Sequence, residues 1–274
     1  MIPRGDITKW QTAAPWAATA QVEQDLILCR AVVDIFSDPF LATHVAFRGG
    51  TALHKLFLHP PARYSEDIDL VQVRPGPIGD IVNALHVRLD PWLGKPQWKA
   101  KEGRFVLYYR FDSETPPIIP MRVKIEINTR EHFSAFGTFS VPFRVDNPWY
   151  QGETRVLTYA LEELLGTKFR ALYQRKKGRD LFDLWLASHR ALVDPSRVVE
   201  AFLKYVEHDE VRVSRAEFEA NLTEKVSDPV FRGDIGPLLA PGLQYSIDQA
   251  AMEIMSALVS LLPGDPWKGG GPEK

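Results

Sequence analysis

Apolar residues recur with helical spacing over residues 17–37, where Val22, Leu26, Cys29, Val33 and Phe36 share one face. Before that helix, residues 1–16 show no period and read as an irregular lead-in. A short apolar run, residues 44–47, has the length of a buried strand and ends at Gly49-Gly50, with a helix beginning near Thr51. Residues 64–73 read as a strand interrupted by acidic residues, and residues 78–93 return to helical spacing. Residues 104–111 are rich in aromatic and β-branched side chains, which favours a strand. After a turn marked by Pro116, Pro117 and Pro120, residues 121–128 alternate strictly. Val123, Ile125 and Ile127 point one way, while Lys124 and Glu126 point the other.

From about residue 156 the texture becomes helical. Residues 158–175 are amphipathic, Lys176-Lys177-Gly178 breaks the pattern, and a second helix starts at Arg179. Further helices are expected near 195–207, 214–226 and 245–262. The order is a run of mixed α and β elements followed by helices alone. It predicts an α+β protein, with a mixed-sheet lobe and N-terminal helix over 1–155 and a helical lobe over 156–263. Residues 264–274 are rich in Gly and Pro and are expected to be a disordered tail.

Composition narrows this only slightly. The 274 residues are 45% hydrophobic and 25% charged, ordinary for a globular chain. The net charge of −2 argues against a polybasic protein, so any electropositive surface must be local. The single cysteine, Cys29, excludes an internal disulfide and a cysteine-based zinc site, and fits a reducing, cytoplasmic setting. Met1–Asp6 lacks the apolar core of a signal peptide, and the longest apolar stretches are charged or too short to span a bilayer, so no membrane partner is expected.

The candidate chemistry lies in three clusters. Asp67 and Asp69 are two apart on a predicted strand, which puts both carboxylates on one face and Ile68 and Leu70 on the other. Paired hard oxygen donors suit Mg²⁺ or Mn²⁺, and a third carboxylate allows two-metal phosphoryl chemistry. Glu126, on the polar face of its strand, is the candidate for that third position. Upstream, Gly49-Gly50-Thr51 joins a strand to a helix, a place where backbone N–H groups can face phosphate. Its spacing is not that of a P-loop, and the same residues would also serve as a tight turn with a Thr cap. Arg48 and Ser65 flank these motifs, and Ser65 can bind phosphate or order its turn. The third cluster is the basic run Lys168, Arg170, Arg175, Lys176, Lys177 and Arg179, followed by Asp180 and Asp183. Lys168 and Arg175 fall on one helical face and can project together. Cations there can hold a triphosphate or an acceptor's phosphates, or can simply form a solvated helix end or salt bridges to Asp180 and Asp183.

The segments Phe47–Leu53, Arg63–Leu70 and Leu164–Trp185 together resemble the AbiEii/AbiGii nucleotidyltransferase toxins, which include the MenT toxins. The resemblance implies a polymerase-β-like nucleotidyltransferase lobe with a helical C-terminal lobe, the two bounding a cleft. It implies a toxin of a toxin–antitoxin or phage-defence system, with NTP as substrate, a divalent metal, a cognate antitoxin, and in some members transfer to tRNA 3′ ends that blocks translation. Carried onto this chain, it makes Asp67 and Asp69 metal ligands and Glu126 a third ligand or an aid to deprotonating the acceptor. Arg48, Gly49, Gly50, Thr51, Ser65, Lys168, Arg175 and Asp180 then bind nucleotide, Lys168 and Asp183 join the catalytic set, and Arg170, Lys176, Lys177 and Arg179 contact RNA. Transfer to a protein or small molecule, or a non-catalytic NTP- or partner-binding module, are the competing readings.

Overall fold

A computed structural model describes residues 2–269, which divide into two compact units, one ending at Tyr159 and the other starting at Ala160. In chain order the first unit contains helices α1 (Arg4–Trp10), α2 (Thr19–Phe36) and α3 (Leu41–His44), then β1 (Val45–Arg48), α4 (Gly49–Leu56), β2 (Asp67–Gln72) and α5 (Gly79–Leu93). Five strands follow without an intervening helix: β3 (Gln97–Lys101), β4 (Arg104–Asp112), β5 (Pro120–Asn128), β6 (Thr138–Asn147) and β7 (Tyr150–Tyr159). They form one mixed seven-stranded sheet in the order β3-β4-β5-β2-β1-β7-β6. β2 runs parallel to β5 and β1 parallel to β7, while the remaining neighbours are antiparallel.

Helix α2 lies at the centre of this unit, packed on β5, β6, β7 and α5. The sequence shows one apolar stripe on it, yet Ile27, Leu28, Ala31, Val32 and Ile35 are buried as well. Sheet on one side and α1 and α5 on the other leave little of α2 for water.

Two sequence expectations need correction here. Residues 1–16 are not an irregular lead-in: they contain α1, and they bury Ile2, Ile7, Trp10 and Trp16. The reason is a long-range contact. Asp25 of α2, 1% exposed, accepts the indole N–H groups of Trp10 at 2.9 Å and Trp16 at 3.1 Å. The Lys55 ammonium of α4 reaches the same carboxylate at 2.6 Å. The second correction is the hairpin β6–β7 and the edge strand β3, which the sequence reading did not include. β6 and β7 pair over their full lengths from Thr138↔Tyr159 to Asn147↔Tyr150. β7 therefore runs through residues 156–159, where the helical texture was expected to begin.

The second unit is helical: α6 (Leu161–Gln174), α7 (Gly178–Arg190), α8 (Pro195–His208), α9 (Arg215–Ser227), α10 (Pro229–Gly233) and α11 (Ile247–Ala257). Phe169, Phe202 and Phe218 stack at its centre, with ring centroids 4.3 to 5.9 Å apart. Ser214 and Glu217 form a reciprocal capping box at the start of α9, and the Asp194, Asp228 and Ser246 side chains cap α8, α10 and α11. The buried Lys225 ammonium donates to the carbonyls of Leu172 and Tyr173, satisfying the C-terminal end of α6. Of the expected tail, residues 264–269 are irregular, and the Trp267 N–H donates to Glu219. Residues 270–274 lie outside the described residues.

Candidate active site

In the first unit the site begins where β1 turns directly into α4. Gly49 makes that turn with φ of +81°, a left-handed conformation. A Cβ on Gly49 would stand 2.1 Å from Oδ2 of Asp69, so glycine is what lets the backbone and this carboxylate meet. A Cβ on Gly50 would meet the buried Arg63 guanidinium at 2.2 Å. Helix α4 has no side-chain cap and no acidic residue in its first turn. Its first backbone N–H groups are those the helix itself cannot satisfy.

The Thr51 and Ser65 hydroxyls order the turn, one of the two roles open to Ser65 from the sequence. Thr51 is 1% exposed; its Oγ1 donates to the Asp67 carbonyl at 2.5 Å and lies 2.8 Å from the Ser65 hydroxyl. Both side chains tie α4 to the start of β2. Arg48 is ion-paired with Glu131.

Strand register sets the acidic residues. Asp69 pairs with Arg48 on β1, and on β5 Asp67 is partnered by Lys124 and Asp69 by Glu126. Parallel neighbours lie about 4.8 Å apart, so the polar faces of β2 and β5 merge into one charged surface. Ile68, Leu70, Val123, Ile125 and Ile127 fill the opposite, buried face. The structure thus sets Asp67, Asp69 and Glu126 on one face of two adjoining strands, as the alternation predicts.

Lys124 is the residue that the sequence reading left without a role. Its ammonium lies 2.7 Å from Oδ2 of Asp67 and 3.2 Å from Oε2 of Glu126. Burial alone would lower its pKa, but the hydrogen bond to Asp67 and the nearby charges of Asp67, Glu126 and Asp69 hold it above the ordinary lysine value. Arg104 adds a second cation on Glu126 at 3.2 Å. The available signal was the alternation that exposes Glu126, which exposes Lys124 equally.

Among the described residues, no three His, Cys, Asp or Glu side chains are gathered closely enough to hold a metal ion. The donor type nonetheless fits a hard divalent cation, and the place between Asp67 and Glu126 is taken by a cation of the chain's own.

In the second unit the Lys168 ammonium lies 3.1 Å from Asp180 and 3.0 Å from Asp183. Both aspartates are 0% exposed, and Lys168 is itself buried. Arg175, at the end of α6, forks onto Asp180 at 2.7 and 2.8 Å. Burial would raise the Asp180 carboxyl, but Lys168 and Arg175 together pull it below the usual aspartate range. Lys168, Asp180 and Asp183 are therefore one buried ionic cluster, which the exposed Arg175 caps from outside.

The expected RNA contacts are all paired with acids of the same unit. Arg170 binds Asp209 at 3.0 Å, and Lys176 reaches Glu224 and Asp228 at 3.2 Å. Lys177 and Arg179 share Asp234 at 3.3 and 3.0 Å.

Two solved structures share the fold. The nucleotidyltransferase toxin MenT4 of Mycobacterium tuberculosis H37Rv aligns with a TM-score of 0.69 and 18% identity, covering 96% of this chain and 91% of its own. JHP933 of Helicobacter pylori aligns with a TM-score of 0.54 and 18% identity, covering 90% of this chain and 92% of its own. The class that the fold defines is thus the α+β nucleotidyltransferase fold.

Comparison with curated proteins gives no match. The family model described as nucleotidyl transferase AbiEii toxin, type IV TA system, matches residues 30–253. The chain belongs to this family of nucleotidyltransferase toxins, and it is a nucleotidyltransferase enzyme.

Proposed function

We propose that this nucleotidyltransferase uses Mg²⁺ or Mn²⁺ to move NMP from an NTP to the 3′ end of a tRNA and so blocks translation. The observation that carries the metal and nucleotide part is the surface formed by Asp67, Asp69 and Glu126 on adjoining strands, with the Gly49 backbone against Asp69. The tRNA acceptor rests on the family resemblance.

In this reading Asp67, Asp69 and Glu126 hold the divalent ion, which when bound neutralises charge on the phosphates. Gly49, Gly50 and Thr51 offer the start of α4 to the triphosphate through backbone N–H groups. Lys124, released from Asp67 and Glu126, remains as a mobile cation beside them. The acceptor hydroxyl oxygen bonds to the α-phosphorus while the bond from that phosphorus to the β-phosphate oxygen breaks. Pyrophosphate leaves, and the hydroxyl proton passes to a carboxylate of the site or to water. Orientation and charge neutralisation carry most of the rate. Within the second unit, transfer also depends on Lys168, Asp180 and Asp183, which pair with one another.

The family description names a toxin–antitoxin system, which supports a cognate antitoxin as a partner. No helix among the described residues is long and apolar enough to cross a membrane, and we place the protein's action in the cytoplasm with its translation target.

Labelled NTPs incubated with total tRNA, a protein extract and candidate small molecules test the proposal. Label on the 3′ end of RNA, lost with Asp69→Ala, is the expected result. Label on protein or small molecule with none on RNA would reject the tRNA acceptor. Metal-independent transfer would reject the metal.

A further inference from the structure

The basic run of the second unit is balanced by its own acids, so unpaired positive charge has to be sought elsewhere. It lies on the open face of β3, β4 and β5, the face that also carries Lys124 and Glu126. Register puts Lys99 and Lys101 of β3, Arg104 and Arg110 of β4 and Arg122 of β5 on this face, all exposed. Arg104 is bound to Glu126, whereas Lys99, Lys101, Arg110 and Arg122 form no ion pair among the described residues. The acids on the same face are Glu126 and Asp112.

Lysines on an edge strand also guard that edge against pairing, so Lys99 and Lys101 alone would decide little. Arg110 and Arg122 are different. They stand directly opposite each other on antiparallel strands inside the sheet. Like charges in that position destabilise a sheet, and neither guanidinium forms an ion pair among the described residues, although Asp112 lies on the same face. Such a pair is favourable when an anion bridges it. Between these arginines and the acidic residues lies Tyr108, whose ring has Arg122 at 5.7 Å and Lys99 at 5.9 Å from its centroid. Arg110 and Arg122 also line an open groove of ≈ 890 Å³ at the end of these strands, alongside Gln21, Gln24, Glu66 and Asp112.

We infer that this face is the track for the acceptor, and that it binds a single-stranded polynucleotide, with phosphates on Arg110 and Arg122 and a base stacked on Tyr108. The inference rests on the nucleotidyltransferase reading above and deepens it. Paired arginines recognise phosphate, and an aromatic ring flanked by cations is a platform for an unpaired base, which a duplex does not offer. β5 connects the two regions, carrying Arg122 in the track and Glu126 beside Asp69. A strand lying along this face would therefore run toward the carboxylates.

The test is binding of a fluorescently labelled single-stranded RNA to the full chain over a range of salt concentrations, with thermal melts confirming that each variant is folded. Arg110→Ala combined with Arg122→Ala should weaken binding about tenfold or more and flatten the dependence of log affinity on log salt by about 1.4. Tyr108→Ala should weaken binding about 5- to 150-fold with the salt slope retained, and Tyr108→Phe should bind like wild type. Wild-type affinity and slope in the double arginine variant would overturn the inference and leave the face to an acidic protein partner. So would a loss confined to Lys176→Ala combined with Lys177→Ala, or no RNA binding by the wild type. Binding of a fluorescent NTP analogue with Mn²⁺, measured separately, reports on the underlying reading: if the wild type binds none, that reading fails, whatever the RNA result.

Discussion

Gly49→Ala is the sharpest perturbation of the site. Two separate effects follow from the geometry. The new residue would have to adopt φ of +81°, a conformation that disfavours an L side chain by about 1–2 kcal/mol. Its Cβ would also begin 2.1 Å from Oδ2 of Asp69. Ordinary van der Waals contact, near 3.4 Å or beyond, requires that oxygen to withdraw by more than about 1 Å. The fold can absorb this, because a side-chain rotation of Asp69 relieves the clash. Chemistry cannot absorb it as easily: a displacement of about 1 Å in a reacting group lowers rates by about 100-fold. The expected result is a folded protein, less stable to urea by about 1–3 kcal/mol, with pyrophosphate release from NTP reduced by about two orders of magnitude. Gly5→Ala is the matched control. No atom lies within 4 Å of its Cβ, and it sits in helix α1, so alanine there should be neutral or slightly stabilising. Wild-type rates from a Gly49→Ala protein destabilised as expected would refute the link between this turn and the Asp69 carboxylate.

Other consequences can be checked independently. Lys124→Met removes the ammonium between Asp67 and Glu126, so Mn²⁺ binding followed by electron paramagnetic resonance should tighten by about tenfold, the scale of one partly screened charge contact; unchanged or weaker binding would show that Lys124 does not occupy the cation's place. Asp25→Ala leaves the buried Lys55 ammonium and two indole N–H groups without their acceptor, and chemical denaturation should register a loss of about 3–5 kcal/mol. Asp180 is held below the usual aspartate range, so its contribution to stability is present above the unfolded value of about 4 and is lost as pH falls through the lower, folded value. Melting temperatures measured across acid pH should show this decline, and Asp180→Asn should flatten it.

The degree to which the protein could be read from its sequence followed the range of each interaction. Asp67, Asp69 and Glu126 were legible because strand alternation is local, and it assigns a face without reference to any partner. Lys168, Arg175, Asp180 and Asp183, within the run that the sequence groups, also meet in space, being close along two successive helices. The lead-in was misread because α1 is held by Asp25, a residue beyond its own stretch whose two indole contacts leave no periodic trace. The edge strand β3 has every residue exposed and thus no alternation of burial to follow.

By itself, then, the sequence determined the acidic pair, the glycine turn, the order of the two textures and the family these motifs resemble, since each depends on neighbours within a few residues. The pairing of charges was decided only in three dimensions. Asp209, Glu224, Asp228 and Asp234 come from distant positions to balance a run of cations that looked open. Sheet register, meanwhile, set Arg110 against Arg122 with no ion pair for either among the described residues and put Lys124 between Asp67 and Glu126. Coulomb interactions act through space, and whether a charge is neutralised or available depends on the side chains that the fold brings within a few ångströms of it.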